Sequence, residues 1–230
     1  MRILLLTLTA FIISSCAQYQ YMMVSSDQLP KNSQQEFIAE SDTAKITYRF
    51  NGKDGAVSIT IHNKLAEPLE IDWRKSALII QGEAKSYFSS TIRMNGTARI
   101  DTIPQPSAQL SGVLVMNEPV EFIPPNASFT RVPLNLSVNS FTGSSLETQQ
   151  KQTYQISPEV SAKYRMLQFN AQESPFNFRS YLSFKTGKSE KEFFVEHRFF
   201  VSEIWQSNTP PDQFPPKFTN QGNVFYVMSQ

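Results

Sequence analysis

Residues 44–73 read AKITYRFNGKDGAVSITIHNKLAEPLEIDW, and this stretch decides the fold. It contains three runs in which every second residue is apolar. These residues are Ile46, Tyr48 and Phe50, then Val57, Ile59 and Ile61, then Leu69, Ile71 and Trp73. Side chains two residues apart lie on one face of a strand, so each run predicts a strand with one buried face. Because residues 51–55 (NGKDG) are typical of a hairpin turn, the stretch predicts an antiparallel sheet.

The rest of the chain continues this pattern with few helical signals. Further strands are predicted near residues 77–80, 87–88, 113–116, 120–123, 132–138, 179–185, 193–205 and 225–227. Ser157 and Pro158 suit the N-cap and first turn of one short helix within residues 157–169. Short strands without a βαβ rhythm predict an all-β fold, namely an antiparallel β-sandwich. An immunoglobulin-like arrangement is the first choice, with a jelly roll or a partly open barrel as alternatives.

The first sixteen residues, MRILLLTLTAFIISSC, form a different kind of segment. Arg2 precedes an uncharged run over residues 3–13, which is shorter than the ~20 residues of a spanning helix. A secretory signal peptide fits this run better. Its end, residues 13–16 (ISSC), resembles the lipobox of bacterial lipoproteins, which predicts cleavage before Cys16 and acylation of its thiol. The alternative is an ordinary signal peptide with an incidental cysteine.

Cysteine content and charge support a membrane anchor and argue against nucleic acid. Cys16 is the only cysteine, so no intramolecular disulfide is possible, and a thioether would be inert in an oxidising compartment. The chain has 21 Lys+Arg and 20 Asp+Glu, and Arg2 is the only charged residue before Cys16. The mature chain is therefore formally neutral and lacks the basic footprint of a nucleic-acid-binding protein. The predicted partner is a lipid bilayer, reached through acylated Cys16.

These features divide the chain into four segments. The division is a signal peptide over residues 1–15, a lipidated N-terminus and tether over 16–42, a β-sandwich domain over 43–206, and a Pro-rich extended tail over 207–230. The tail contains two Pro-Pro pairs, which favour an extended path over the surface. The strand at residues 225–227 is expected at a sheet edge.

Several motifs together resemble a family of uncharacterised Bacteroidota lipoproteins. The matching segments, in order, are residues 63–68 (NKLAEP), 71–76 (IDWRKS), 122–125 (FIPP), 178–182 (FRSYL) and 199–204 (FFVSEI). The family pattern reads NKL…P…IDWKKS, then FIPP, FRNYL and EFYVSEI. Glu70, Ala77 and Leu78 depart from it. The resemblance implies lipidation, a shared fold and a shared lineage, and the family carries no established activity.

Candidate catalytic and metal-binding residues are few. His62 and His197 are the only histidines, and each lies in a predicted strand without a second ligand nearby in sequence. A zinc site needs several such ligands, so packed or solvated histidines are expected, with no metal and no cofactor. Nucleophile-elbow, zincin, Walker and dinucleotide-binding motifs are absent from the sequence. The sequence therefore names no catalytic residue.

Two pairs of residues suggest weaker alternatives. Glu70 and Asp72 share one face of a strand, a spacing compatible with glycoside chemistry or with calcium ligation. Nearby lysines and arginines favour a solvated, charge-balanced surface instead. Trp73 and Trp205 suit a sugar-stacking platform, but each shares its face with aliphatic residues, which favours core packing.

Two short sequons predict surface modification. Residues 42–44 (DTA) and 101–103 (DTI) resemble the O-glycosylation sequon of Bacteroidota, which makes Thr43 and Thr102 candidate acceptors. Both lie in predicted loops or boundaries, where a bulky glycan is tolerated.

The sequence as a whole predicts a non-enzymatic envelope lipoprotein that binds or scaffolds another envelope protein or a glycan. Ala17 follows the lipobox, and no acidic run follows Cys16, so the periplasmic face of the outer membrane is expected rather than the cell surface. A glycan-binding surface lipoprotein is the first alternative and requires exposed aromatic side chains. A hydrolase with a scattered active site is the second and requires a polar cleft with hydrogen-bonded titratable groups.

Overall fold

The computed structural model describes residues 18–88, 118–136, 138–142, 144–187 and 192–229. Strands dominate this part of the chain, which confirms the predicted all-β fold. The strands are β1 (Gln18–Ser25), β2 (Phe37–Glu40), β3 (Ala44–Lys53), β4 (Ala56–Asn63), β5 (Leu69–Ile80), β6 (Glu83–Ser86), β7 (Val120–Ile123), β8 (Ser128–Asn135), β9 (Gln152–Gln155), β10 (Ser161–Gln168), β11 (Asn177–Thr186), β12 (Glu192–Ser207) and β13 (Val224–Ser229). The short helices are α1 (Ser144–Glu147), a 3₁₀ turn (Pro211–Gln213) and α2 (Pro216–Thr219). None of these described helices is long and apolar enough to cross a membrane.

The strands form two antiparallel sheets that meet at one parallel contact. The first sheet has the order β6-β5-β11-β12-β1-β13, with β7 beside β5 and the pair β9-β10 beside β12. The second sheet has the order β2-β3-β4-β8. Strand β13 joins them by pairing in parallel with the end of β3, where Phe225 lies opposite Gly52. The sandwich prediction is confirmed at this level, while the immunoglobulin-like arrangement stays a prediction.

The core lies between the two sheets and is rich in aromatic rings. The Phe50 ring, from β3, packs edge-on against Phe199 of β12 at 4.8 Å and against Phe178 of β11 at 5.1 Å between centroids. The aliphatic residues predicted on the inner faces of β4 and β5 are fully buried beside them. Edge-to-face contacts of this kind add to the apolar area that each ring buries.

The hairpin predicted at residues 51–55 joins β3 to β4. Asp54 and Gly55 have positive φ values of 56° and 65°, left-handed conformations that are common in tight hairpin loops. A Cβ atom on Gly55 would lie 3.0 Å from Leu136 and 3.1 Å from Phe225. Glycine therefore serves both the turn and the packing at this position.

The tether prediction is wrong for residues 18–25. Strand β1 lies near the middle of the first sheet, between β12 and β13. Met22 and Val24 face the main core, while Tyr21 faces a second apolar cluster on the other side of the sheet. Because both faces of β1 are covered, its sequence lacks the polar–apolar alternation of a half-buried strand. Strand β2, by contrast, is a short strand at the edge of the second sheet, where it pairs with β3.

The tail prediction is also wrong for much of residues 207–229. Phe214 and Phe218, beside the two Pro-Pro pairs, are buried against Tyr21 at centroid distances of 4.9 and 5.9 Å. Strand β13 then runs between β1 and β3 rather than at an edge. The prolines therefore end strand pairing locally, while the side chains of Phe214 and Phe218 cover the outer face of the sheet.

The short helix predicted within residues 157–169 is wrong. Pro158 lies in a bend, and strand β10 follows and pairs with both β9 and β12. Backbone hydrogen bonds to the edge of β12 stabilise the extended conformation of this segment. This tertiary pairing overrides the weak local helix preference of Ser157 and Pro158. The signal peptide, Cys16, Thr102 and the strand predicted at 113–116 lie outside the described residues.

Candidate functional site

A cleft of about 590 Å³ lies on the outer face of the first sheet. It forms where the start of β11 and the middle of β12 meet three connecting segments: the loop after β1, the β5–β6 turn and the turn before β11. Ligand sites in proteins commonly have volumes of about 300–1,000 Å³. Its size is therefore suitable for a small ligand or for one segment of a larger one.

Four apolar residues line this cleft. The side chains of Ile79 and Phe200 lie on the outer face of the sheet, whereas the rings of Phe178 and Phe199 face the core. Four amide side chains line the cleft as well: Gln28, Gln81, Gln172 and Asn177. Amides both donate and accept hydrogen bonds, so the lining combines apolar contact area with orienting polar groups.

Two arginines face each other across the strands that carry the cleft. Arg179 on β11 is the register partner of Arg198 on β12, and both side chains line the cleft. Like charges opposite one another destabilise a sheet unless they are compensated. The carboxylate of Glu196 supplies that compensation, because it accepts hydrogen bonds from Nη1 of Arg179 at 2.9 Å and from Nε of Arg198 at 3.4 Å.

The loop after β1 fixes the backbone at Arg198. The side-chain oxygen of Gln28 accepts a hydrogen bond from the backbone N–H of Arg198 at 2.9 Å. The hydroxyl of Ser26 donates a hydrogen bond to the Arg198 carbonyl at 2.7 Å. These bonds occupy the backbone groups of β12 at the point where β1 diverges from it. Arg198 is thereby held in place while its side chain stays exposed.

An exposed aromatic pair lies beside the arginines on the same face. The Phe194 ring stacks on Tyr181 with centroids 5.3 Å apart and an angle of 28° between the planes. Phe194 is 64 % exposed, the highest fraction among the exposed large apolar residues of the described chain. Tyr181 lies opposite Glu196 in the β11–β12 ladder, so the aromatic pair borders the charged cluster.

The predicted aromatic candidates lie elsewhere. Trp73 is fully buried, with the Arg131 guanidinium 4.9 Å above its ring. Trp205 is half-buried and stacks with both Tyr164, at 4.1 Å, and Phe218, at 5.1 Å. The prediction that both tryptophans serve packing agrees with these contacts, and neither presents the free ring face that a sugar-stacking platform needs.

The two histidines take different positions. His62, on the outer face of β4, has its Nδ1 3.0 Å from the Ser128 hydroxyl. His197 faces the core, where its Nδ1 lies 2.9 Å from the Tyr48 hydroxyl, and burial lowers the pKa of His197. Its ladder partner Ser180 is fully buried and accepts from the Tyr87 hydroxyl at 2.9 Å. This polar chain lies between the sheets, out of reach of the cleft lining.

The predicted carboxylate pair lies outside the cleft lining. Asp72 accepts hydrogen bonds from the N–H and side chain of Arg74, and Glu70 lies opposite Lys185 in the ladder. These contacts match a charge-balanced surface. Among the described residues, no group of three or more His, Cys, Asp or Glu side chains is arranged to hold a metal ion. Thr43, a predicted glycan acceptor, is half-buried in the bend before β3.

Sequence reasoning missed Arg179, Arg198 and the Tyr181–Phe194 pair. The available signal was the predicted hairpin of β11 and β12. Once Lys185 is paired with Glu192 across residues 186–191, the register of all the other β11–β12 pairs follows. Counting outward from that pair brings Arg179 opposite Arg198. The cleft also needs the loop after β1, whose place beside β12 follows from long-range pairing.

No protein-family model, no curated protein and no solved structure matches this chain.

Proposed function

We propose that the protein is a non-enzymatic binding module, held at the periplasmic face of the outer membrane by acylated Cys16, that binds another envelope component in the cleft. The observation that carries the proposal is the cross-strand pair Arg179–Arg198 at the cleft of about 590 Å³. Apolar contact area with a few orienting polar groups is the usual composition of a preformed ligand site.

The chemistry of the cleft favours binding over catalysis. Asp27 is the one carboxylate among the described lining residues, and the other polar groups there are amides and arginines. Hydrolysis by general acid–base or nucleophilic chemistry requires partner groups within hydrogen-bond reach. Ser180 and His197, which are register partners on β11 and β12, are directed into the core. A hydrolase with a scattered site therefore has less support than a binding protein.

The membrane anchor is proposed from the sequence of residues 1–16. The charged start, the short apolar run and the small residues before Cys16 support processing as a lipoprotein. The resemblance to Bacteroidota lipoproteins supports the same location. The replacement Cys16→Ala should release the protein from the membrane fraction and abolish palmitate labelling. Unchanged membrane retention and labelling would contradict the anchor.

Site-specific photocrosslinking in cells tests the binding role. A crosslinking amino acid at Gln172, on the cleft lining, should capture an envelope component, whereas the same group at exposed Lys45 on the second sheet should not. The double variant Arg179→Ala/Arg198→Ala should abolish capture, and Arg74→Ala, which removes an exposed arginine elsewhere on β5, should preserve it. Equal capture from both positions, or capture that survives loss of both cleft arginines, would overturn the proposal.

The Tyr181–Phe194 pair favours glycan binding as a second candidate function. Exposed aromatic faces stack on the apolar faces of sugar rings, while neighbouring charged and amide groups bind hydroxyls. If a glycan binds here, Phe194→Ala should abolish retardation of the protein in gels containing envelope polysaccharide. Val132→Ala, at an exposed apolar residue on the second sheet, should leave it unchanged. Retardation that is unaffected by Phe194→Ala would remove this candidate.

A further inference from the structure

Strand β1 begins close to the cysteine that is proposed to carry the acyl chains. It starts at Gln18, and Ala17 is the one residue between it and Cys16. An extended chain spans at most ~3.6 Å per residue, so the Cα atoms of Cys16 and Gln18 lie within about 7 Å of each other. Acyl chains on Cys16 enter the bilayer and hold this residue at its surface. The start of β1 is therefore confined to the neighbourhood of that surface.

The β9–β10 hairpin extends past the start of β1 at this end of the first sheet. Tyr19 and Tyr164 are both register partners of Ser207, so β1 and β10 run in the same direction with these two residues at one level. Val160, at the tip of the hairpin, precedes Tyr164 by four residues, or about 13 Å of strand. Cys16 precedes Tyr19 by three residues, or at most ~11 Å. The hairpin tip therefore reaches as far toward the bilayer as the acylated residue can.

Two further segments lie at the same level on the other side of β1. Met228 is the register partner of Tyr19 in the β1–β13 ladder. The turn between β3 and β4 is held beside β13, because the N–H of Asp54 donates to the Tyr226 carbonyl at 2.8 Å. Val160 and Met228 are 50 % and 49 % exposed, and both belong to the few exposed large apolar residues of the described chain.

We propose that this end of the sandwich, with Val160 and Met228 on opposite sides of β1, rests on the bilayer surface that holds acylated Cys16. The inference rests on the proposed function, because acylation supplies the attachment. Exposed apolar side chains at this height lose water contact in the boundary between head groups and acyl chains. Lys53 and Glu159 are both exposed here, so the short covalent link, rather than net charge, selects the bilayer as the contact.

The same geometry sets the height of the cleft above the bilayer. Contacts on both sides of β1 keep this strand upright, and it spans about 23 Å from Gln18 to Ser25. The cleft lining begins just beyond its far end, at Asp27 and Gln28. The cleft therefore opens more than ~20 Å from the head groups. It is placed for a component that extends into the periplasm rather than for a lipid within the bilayer.

Quenching by lipid head groups tests this orientation. Acylation consumes the thiol of Cys16, so an introduced cysteine is the only free thiol of the mature chain. A fluorophore on Val160→Cys, in acylated protein reconstituted into phosphatidylethanolamine–phosphatidylglycerol vesicles, should lose most of its emission when the phospholipid carries a head-group nitroxide. Val132→Cys, at 59 % exposure on β8, should retain its emission, because the ladders through β4, β3 and β13 place it level with the far end of β1. Gln172→Cys, on the cleft lining, should retain it as well.

Palmitate labelling of the same variants separates two kinds of failure. Labelled protein in which Val160→Cys is not quenched, or is quenched no more than Val132→Cys, would overturn the orientation and leave the anchor intact. Protein without label would overturn the anchor and this inference with it.

A longer link provides the complementary test. Ten Gly and Ser residues inserted between Ala17 and Gln18 add a flexible span of about 17 Å. Quenching at Val160→Cys should then fall while palmitate labelling is retained, because the link no longer confines this end to the surface. Quenching that is unchanged by the insertion would contradict an orientation set by the short link.

Discussion

The hydroxyl of Tyr48 lies 2.9 Å from Nδ1 of His197, and this contact links the two sheets through the core. Tyr48 is fully buried on β3, and His197 is half-buried on the inner face of β12. Burial lowers the pKa of His197 and raises that of Tyr48, so burial favours the neutral form of both groups at this contact.

Stability should therefore fall in mild acid. The pKa of His197 lies below its ordinary value of 6.5 in the folded chain, so the unfolded chain binds the proton more readily. The free energy of unfolding should be fully retained above this value and should fall as the pH drops below it. Urea unfolding at pH 7.5 and 5.5 measures the change. His197→Gln should reduce this pH dependence; an unaltered slope in His197→Gln would contradict the assignment.

A second prediction concerns the buried amide of Asn63, at the end of β4. Its Nδ2 donates to the carbonyls of Glu67, Ile123 and Pro124 at 2.8–3.1 Å, and the residue is fully buried. Asn63→Asp replaces the donor with a carboxylate oxygen that faces three carbonyl oxygens. It should destabilise the fold by about 3 kcal/mol or more at pH 7. Exposed Asn139→Asp should change stability by less than about 0.5 kcal/mol in the same denaturant titration.

Two glycines of the β3–β4 hairpin separate backbone strain from packing. Gly52 and Gly55 both have positive φ, but a Cβ on Gly52 meets nothing within 4 Å, whereas one on Gly55 lies about 3 Å from Leu136 and Phe225. Gly52→Ala should cost about 1–2 kcal/mol from the left-handed backbone alone. Gly55→Ala should cost about 1–3 kcal/mol more, from overpacking. Equal losses in thermal unfolding would show that the turn does not pack as described.

The segment after β12 should contribute to stability rather than act as a loose tail. Phe218 on α2 is 6 % exposed and packs against Trp205 and Tyr21. Phe218→Ala should destabilise the protein by about 3–5 kcal/mol, the usual cost of emptying a buried aromatic site. Val160→Ala, at a half-exposed position, serves as the control and should be nearly neutral. A neutral Phe218→Ala would restore the view of this segment as a surface tail.

The sequence predicts a strand well when one of its faces is buried and the other is more exposed. Strands β3, β4 and the start of β5 bury one face and expose the other, so their period of two is visible without any tertiary information. Strand β1 fails this criterion because Tyr21 and Met22, neighbours in sequence, are both buried, on opposite faces of the sheet. Its burial depends on β13 and α2, about two hundred residues away in the chain.

The candidate site was less predictable than the fold for a related reason. Arg179 and Arg198 are ordinary surface residues in the sequence, and only the register of the β11–β12 ladder pairs them. Gln28 reaches Arg198 because β1 lies beside β12. Motif searches detect residues close in sequence, whereas this cleft is built from five separated segments.

The measurement that tests the central claim most directly is native mass spectrometry of the protein purified from its own membranes. The wild type should carry a bound component in addition to the acyl groups on Cys16, and Arg179→Ala/Arg198→Ala should lose that component while remaining folded. Identical masses for the wild type and the double variant, with only the acyl additions present in both, would contradict ligand binding in the cleft.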